Sequence, residues 1–210
     1  GRHIYKREPS FPIAVACDPA FNFVYEANIR YLHHLGEVTY FSPLADTSLP
    51  DAGFVYLPGG YPELYLAALS ANRQMLQSIR RYVESGGKLL AECGGMMYLC
   101  DEIRDKNGDV YPMAGVLHQS ATMENMKLRL GYRTLLYNET RLKGHEFHYS
   151  RLVEQQNPLP SCAVAYTAKG VETDTPLYHY KNVWAGYTHL YWADPVGNEW
   201  FTKFVIDGNT

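Results

Sequence analysis

Long hydrophobic runs are absent from this sequence. No apolar stretch approaches the roughly 20 residues a membrane span needs, and the N-terminal Gly1-Arg2-His3-Ile4-Tyr5-Lys6-Arg7 lacks the apolar centre of a signal peptide. A soluble, cytoplasmic protein with no membrane partner is therefore expected. Cysteine is scarce: Cys17, Cys93, Cys100 and Cys162 make up the four, in unlike surroundings and without CxxC spacing. That excludes a disulfide framework and a zinc ribbon. Positive charge is not in excess either, because 19 Lys and Arg face 22 Asp and Glu for a net charge of −3. No bulk field exists to attract nucleic acid, and no nucleic-acid partner is expected. The GxxxxGK[ST] phosphate loop does not occur, so the chain is not a P-loop ATP-binding unit by itself. Internal repeats, low-complexity stretches and domain linkers are also missing.

What is present is an ordinary globular composition, 46% hydrophobic and 20% charged over 210 residues, enough to bury one sizeable core. The chain starts with Gly and reaches its first apolar strand only after about ten polar residues, a span of ordinary connector length. It is read as one piece of a longer protein, with 1–10 a leader or linker.

Short β-like runs alternate with helical patterns through the first half, the signature of a parallel sheet built from βα units. Pro12 to Cys17, Val38 to Phe41, Gly53 to Leu57 and Lys88 to Ala91 read as strands. Between them, Val24, Ala27, Asn28, Tyr31, Leu32 and Leu35 fall at helical spacing, as do Met75, Leu76, Ile79, Tyr82 and Val83 after the capping residue Asn72. Beyond Asp101 the character changes. Lys127 to Tyr137, Leu142 to Val153 and Ser161 to Ala168 are β-rich with no intervening helix and read as antiparallel additions. Val183 to Thr188 returns to a buried strand, followed by a helix with Pro195 in its first turn and Val196, Trp200, Phe201, Phe204 and Val205 facing inward. The fold class is α/β, with a mostly parallel central sheet flanked by helices and antiparallel β additions in the second half.

Ala91-Glu92-Cys93-Gly94-Gly95 stands between a strand and the helical run Met96 to Leu99. A nucleophile at a sharp strand-to-helix turn needs small residues two before and two after it, and Ala91 and Gly95 satisfy that demand. Cys93 would project from the turn, open to solvent, its thiolate favoured by the helix N-terminus and the amide of Gly94 facing a forming oxyanion. The other reading is a buried Cys in a tight glycine-rich turn. A thiol nucleophile needs a base. His189 ends a late apolar strand on the sheet edge that carries the Cys93 elbow, and is read either as that base or as a strand-end His bonded to backbone. His33 and His34 read as solvated. Gly144 to Arg151 packs His145, Glu146, His148 and Arg151 into one segment, yet the two His lie three apart on a strand and point to opposite faces, so no metal is expected there. That segment is either a polar strand facing a ligand or an ordinary exposed strand. Asp194 before Pro195 reads as an N-cap rather than an orienting acid. Cys17, Cys100 and Cys162 read as small core fillers.

Ala14-Val15-Ala16 with Asp18-Pro19-Ala20-Phe21-Asn22-Phe23, Phe41-Ser42-Pro43-Leu44, Leu57-Pro58-Gly59-Gly60-Tyr61-Pro62-Glu63, Ala91 to Leu99, Gly144-His145-Glu146-Phe147-His148-Tyr149-Ser150 and Tyr187-Thr188-His189 together resemble the C-terminal glutaminase domain of cobyrinic acid a,c-diamide synthases. The resemblance runs from about Phe11 to Trp192. PGGYPE and CGG alone indicate only the wider class I glutamine amidotransferases, whose central sheet is flavodoxin-like.

The resemblance implies that 11–210 is one glutamine amidotransferase domain in which Cys93 hydrolyses glutamine through a γ-glutamyl thioester with His189 as base. Gly60 and Gly94 would form the oxyanion hole, and Glu146, His148 and Arg151 would line the glutamine site. Ammonia would pass to an N-terminal ATP-dependent synthetase domain, missing from this chain, that amidates the a and c carboxylates of a corrinoid in cobalamin biosynthesis. No cofactor is implied for this chain; ATP and Mg belong to the missing domain. One departure is that Leu190-Tyr191 follow His189 where many class I enzymes have Pro-Glu, which leaves a Cys-His dyad. The competing readings are a cysteine peptidase, which has no reason to carry PGGYPE and HEFHYS together, a non-catalytic or redox-sensing module of the same fold, and a glutaminase serving a related tetrapyrrole or another amidation.

Overall fold

The computed structural model describes residues 11–207. The expected leader or linker, 1–10, lies outside the described residues. Strands β1 (Pro12–Ala16), β2 (Glu37–Phe41), β3 (Phe54–Leu57) and β4 (Leu89–Glu92) are interspersed with helices α1 (Glu26–Leu35), after β1, α2 (Leu66–Ala71) and α3 (Arg73–Glu84), both after β3, and α4 (Gly94–Leu99), after β4. The βα pattern of the first half is thus realised, and Asn72 caps α3 by accepting from Met75 N. After α4 come β5 (Cys100–Arg104), β6 (Val110–Pro112), β7 (Leu117–Thr122), β8 (Arg129–Tyr137), β9 (Thr140–His148), β10 (Arg151–Leu152), β11 (Val164–Thr167) and β12 (Glu172–Thr173). The chain ends through β13 (Leu177–Tyr180), β14 (Val183–Gly186), β15 (His189–Leu190) and α5 (Pro195–Thr202), which runs into a π-helical turn.

The six-stranded central sheet has the order β13-β14-β4-β3-β1-β2, parallel except for the β13–β14 pair. The antiparallel additions mostly build sheets of their own: β12-β11-β8-β9-β15 is fully antiparallel, and β10-β7-β5-β6 is mixed. Parallel strands buried on both faces need apolar side chains at successive positions, and β1 supplies them: Ala14 and Ala16 join one core cluster, Ile13 and Val15 the other. Met75, Ile79 and Val83 of α3 cover the first face, while Trp200 and Phe201 of α5 cover the second beside Trp184 and Trp192. Burial of each such side chain contributes roughly 1.5–3 kcal/mol.

Three packing details differ from the sequence pattern. Val196 is 46% exposed, although Trp200 and Phe201 of the same helix are buried. Cys17 is exposed and Cys162 half-buried, since both follow or precede their strands rather than lying within them; Cys100 alone of the three is a core filler. The strand expected over Val183 to Thr188 ends at Gly186, so His189 belongs to β15, which pairs antiparallel with β9 of a different sheet.

Parallel strands place their C-terminal ends on one edge. There the PGGYP turn follows β3, the Cys93 elbow follows β4, and Tyr187 follows β14, on three neighbouring strands. Among the described residues no helix is long and apolar enough to cross a membrane.

Candidate active site

Cys93 joins β4 to α4 with φ 53° and ψ −108°. A residue with a Cβ held at positive φ costs about 1–3 kcal/mol. Two anchors oppose that cost: Cys93 N–H donates to Gly186 O at 2.7 Å, and Cys93 O accepts from Met97 N at 3.0 Å. The bend brings the thiol to a cavity of about 240 Å³ lined with it by Phe23, Gly60, Tyr61, His145, Phe147 and His189. The thiol donates to Phe147 O at 3.5 Å.

Cys93 is only 4% exposed, so the expected opening to solvent does not hold. Nor is its thiolate favoured. Burial, followed by the nearby Glu63 carboxyl, pushes the thiol well above its usual range, and the N–H of Gly94 opposes this only in part. A six-residue helix offers too small a dipole to outweigh desolvation.

His189 is likewise 4% exposed and stands edge-on to Phe23, with ring centroids 4.5 Å apart. Across the β15–β9 ladder it faces His145 directly. Burial first, then His145 and His148, lower its pKa to about 4, so the imidazole is uncharged at neutral pH and free to accept a proton. Its Nδ1 has no hydrogen-bond partner among the described residues. Asp194 does not orient it: that carboxylate caps α5, accepting from Gly197 N at 2.6 Å.

Gly60 has φ 155°, and a side chain there would overlap the Ala20 carbonyl. Gly60 N and O lie 3.3 and 3.2 Å from the point a Cβ on Gly94 would occupy. The main chains of the PGGYP turn and of the elbow therefore adjoin beside the thiol. Glu92, immediately before Cys93, is 2% exposed, and burial lifts its pKa to about 8 against hydrogen bonds from Tyr56 and Leu190.

Glu146, His148 and Arg151 do not share the Cys93 cavity. His145 and Phe147 face it from one side of β9, as alternation requires, while the three line a second, polar cavity of about 710 Å³. Glu146 accepts from Arg133 Nε at 2.7 Å and Thr175 Oγ1 at 2.6 Å, and bonds His148 Nε2 at 2.7 Å. Burial raises its pKa, but His148, Thr175 and Arg129 bring it down to about 2. His148 also bonds Ser150 O at 2.7 Å and stacks on Tyr187 at 3.6 Å. Arg151 is exposed.

Arg129, Arg133 and Thr175 were not singled out from sequence. Arg129 and Arg133 lie an even number of positions apart on one β run and so share a face, a usable signal. Thr175 reaches Glu146 from a distant segment, with no local signal. Among the described residues, no group of three or more His, Cys, Asp or Glu is arranged to hold a metal ion.

Comparison with known proteins adds an independent line. The model of the CobB/CobQ-like glutamine amidotransferase domain matches residues 12–196. Hydrogenobyrinate a,c-diamide synthase of Pseudomonas aeruginosa is 40% identical over 185 residues, which cover 85% of this chain and 41% of that protein. Cobyrinate a,c-diamide synthase of Clostridium acetobutylicum is 38% identical over 210 residues, 95% of this chain and 46% of that one. The chain thus spans less than half the length of these curated relatives. In fold it is similar to a chain of PurLQS from Thermotoga maritima, with TM-score 0.58 and 16% identity over 94% of this chain and 96% of that one. It is also similar to a glutamine amidotransferase from Thermotoga maritima, with TM-score 0.55 and 12% identity over 94% of this chain and 83% of that one.

Proposed function

Since the chain belongs to the CobB/CobQ-like glutamine amidotransferase domain family, we propose that it hydrolyses glutamine at Cys93 and supplies the ammonia to an ATP-dependent synthetase half that amidates the a and c carboxylates of a cobyrinate-type corrinoid. The observation that carries this reading is the convergence of Cys93, His189 and Gly60 on one small cavity, with the main chain of Gly94 against Gly60.

The chemistry starts from two neutral groups. His189 takes the Cys93 proton as sulfur attacks the side-chain amide carbon of glutamine. The amides of Gly60 and Gly94 stabilise the oxyanion. Collapse breaks the C–N bond, His189 returns the proton to the leaving nitrogen, and ammonia departs from a γ-glutamyl thioester. Water then attacks the thioester, giving its proton to His189, and glutamate leaves as the thiol is restored. Thiol–imidazole chemistry suits a buried site, because a resting thiolate there has no solvation.

Glu146 and His148 enter in a changed role: their polar atoms are committed to each other and to neighbours, so they fix β9, whose Phe147 carbonyl holds the thiol. ATP and Mg are assigned to the synthetase half, since this chain carries no P-loop motif. The setting is cytoplasmic, where a corrinoid biosynthetic enzyme meets ATP and glutamine. Glutamate release is expected to be low from the chain alone and to rise when the synthetase half, ATP and cobyrinate are added, because the partner helps populate the competent active site. No glutamate release in the complete mixture overturns the reading.

A further inference from the structure

We propose that Glu92 is a positioning residue for the reaction, tying the strand that ends in the nucleophile to the strand that carries the base. This rests on the glutaminase reading above. Glu92 closes β4 of the central sheet, one residue before Cys93, whereas His189 opens β15 of a separate antiparallel sheet. One Glu92 carboxyl oxygen accepts from Leu190 N, the residue after His189, at 2.8 Å. The other accepts from Tyr56 Oη of β3. One buried side chain therefore links β3, β4 and β15.

The link matters because β15 is a two-residue edge strand. On one side it pairs with β9; on the other, the Leu190 N–H and C=O point into a dry interior where unmet polar groups are costly. Two buried side chains take the place of a neighbouring strand: Glu92 accepts from Leu190 N, and Asn28 Nδ2 donates to Leu190 O at 2.8 Å. Asn28 also accepts from Trp192 N at 3.0 Å.

Among the described residues, no side chain holds the ring of the base at Nδ1. In a Ser-His-Asp arrangement a carboxylate orients the imidazole through Nδ1, but here Nδ1 of His189 is unpartnered among the described residues. Its place is set by packing against Phe23 and Gly59 and by the main chain on which it rides. Glu92 acts on that main chain. It does not line the Cys93 cavity, so it is not itself the acid or base.

The test compares Glu92→Gln with Glu92→Leu in the complete enzyme, following glutamate release and, separately, iodoacetamide alkylation of Cys93 by mass spectrometry. Gln keeps an acceptor for Leu190 and an amide for Tyr56; Leu keeps neither. For Glu92→Leu, kcat is expected to fall about 10- to 100-fold with KM within about twofold, because small misplacements of reacting groups cost that much. Glu92→Gln is expected to stay within about threefold of wild type, and Cys93 alkylation to follow the same order. An equal loss in both variants, or a loss confined to KM, overturns the inference. If Glu92→Leu does not fold, Tyr56→Phe frees one side of the carboxyl and is expected to lower kcat about threefold; wild-type kcat in a folded Tyr56→Phe overturns it as well. Wild-type enzyme that releases no glutamate sinks the glutaminase reading instead, while the alkylation series, which needs no glutamine, still judges Glu92.

Discussion

The imidazole of His189 fills the space that a side chain on Gly59 would need: a Cβ there would overlap Cε1 and lie 3.0 Å from Nδ1 and 3.3 Å from Nε2. The turn after β3 and the base on β15 are packed face to face, so the glycine pair in PGGYP serves two ends. Gly60 meets a backbone demand, and Gly59 makes room for the base.

Gly59→Ala should therefore displace the imidazole while leaving the fold intact. Glutamine turnover is expected to drop about 100-fold with an unchanged far-UV spectrum, since the clash is with a side chain at the end of a short strand. Turnover near the wild-type value would show that the ring can move without consequence.

Three of the four thiols should separate by reagent. A small general alkylator is expected to modify exposed Cys17 first, whereas a glutamine-shaped diazo ketone should modify Cys93, which lines the cavity of about 240 Å³. Cys100, fully buried, should stay unmodified in the folded protein. Peptide mapping reads all of these; a diazo ketone found mainly on Cys17 removes Cys93 from the nucleophile role.

With its pKa lowered from 6.5 to about 4, His189 is neutral over most of the working range. The acid limb of kcat/KM for glutamine is expected near pH 4 rather than near 6.5. The same shift acts on stability. Between these values the unfolded chain binds more protons than the native one, so stability falls as pH drops from 6.5 toward 4. His189→Asn should flatten that slope in denaturant titrations, and an unaltered slope would mean another group produces it.

Arg133→Met should leave the Glu146 carboxylate buried without one of its charged partners. Breaking a buried pair typically costs about 3–5 kcal/mol, and a loss of that order is expected in chemical denaturation at pH 7. Because Glu146 has its pKa lowered to about 2, the stability it contributes is present above pH 4.5 and disappears as pH falls toward 2. A neutral Arg133→Met would mean that Thr175 and His148 suffice to hold the carboxylate.

Local physics was legible from the residues alone. Apolar periodicity located β1 to β4 and α3, Asn72 and Asp194 announced their helix starts, and small residues around Cys93 marked the elbow, because each of these depends on neighbours within a few positions. The motif set also marked Gly60 and His189, which the fold brings to the Cys93 cavity.

Burial and partnership were decided by the tertiary structure. Alternation tells which side of its own strand a residue occupies, yet not which sheet the strand joins; hence His189 could be assigned to a strand end but not to β15, and Glu146 to a polar face but not to Arg133 and Thr175. The thiol of Cys93 illustrates the same division. Its turn is local, but its protonation is set first by burial and then by the Glu63 carboxyl, about thirty positions away in the chain, and that desolvation outweighs the short helix beside it.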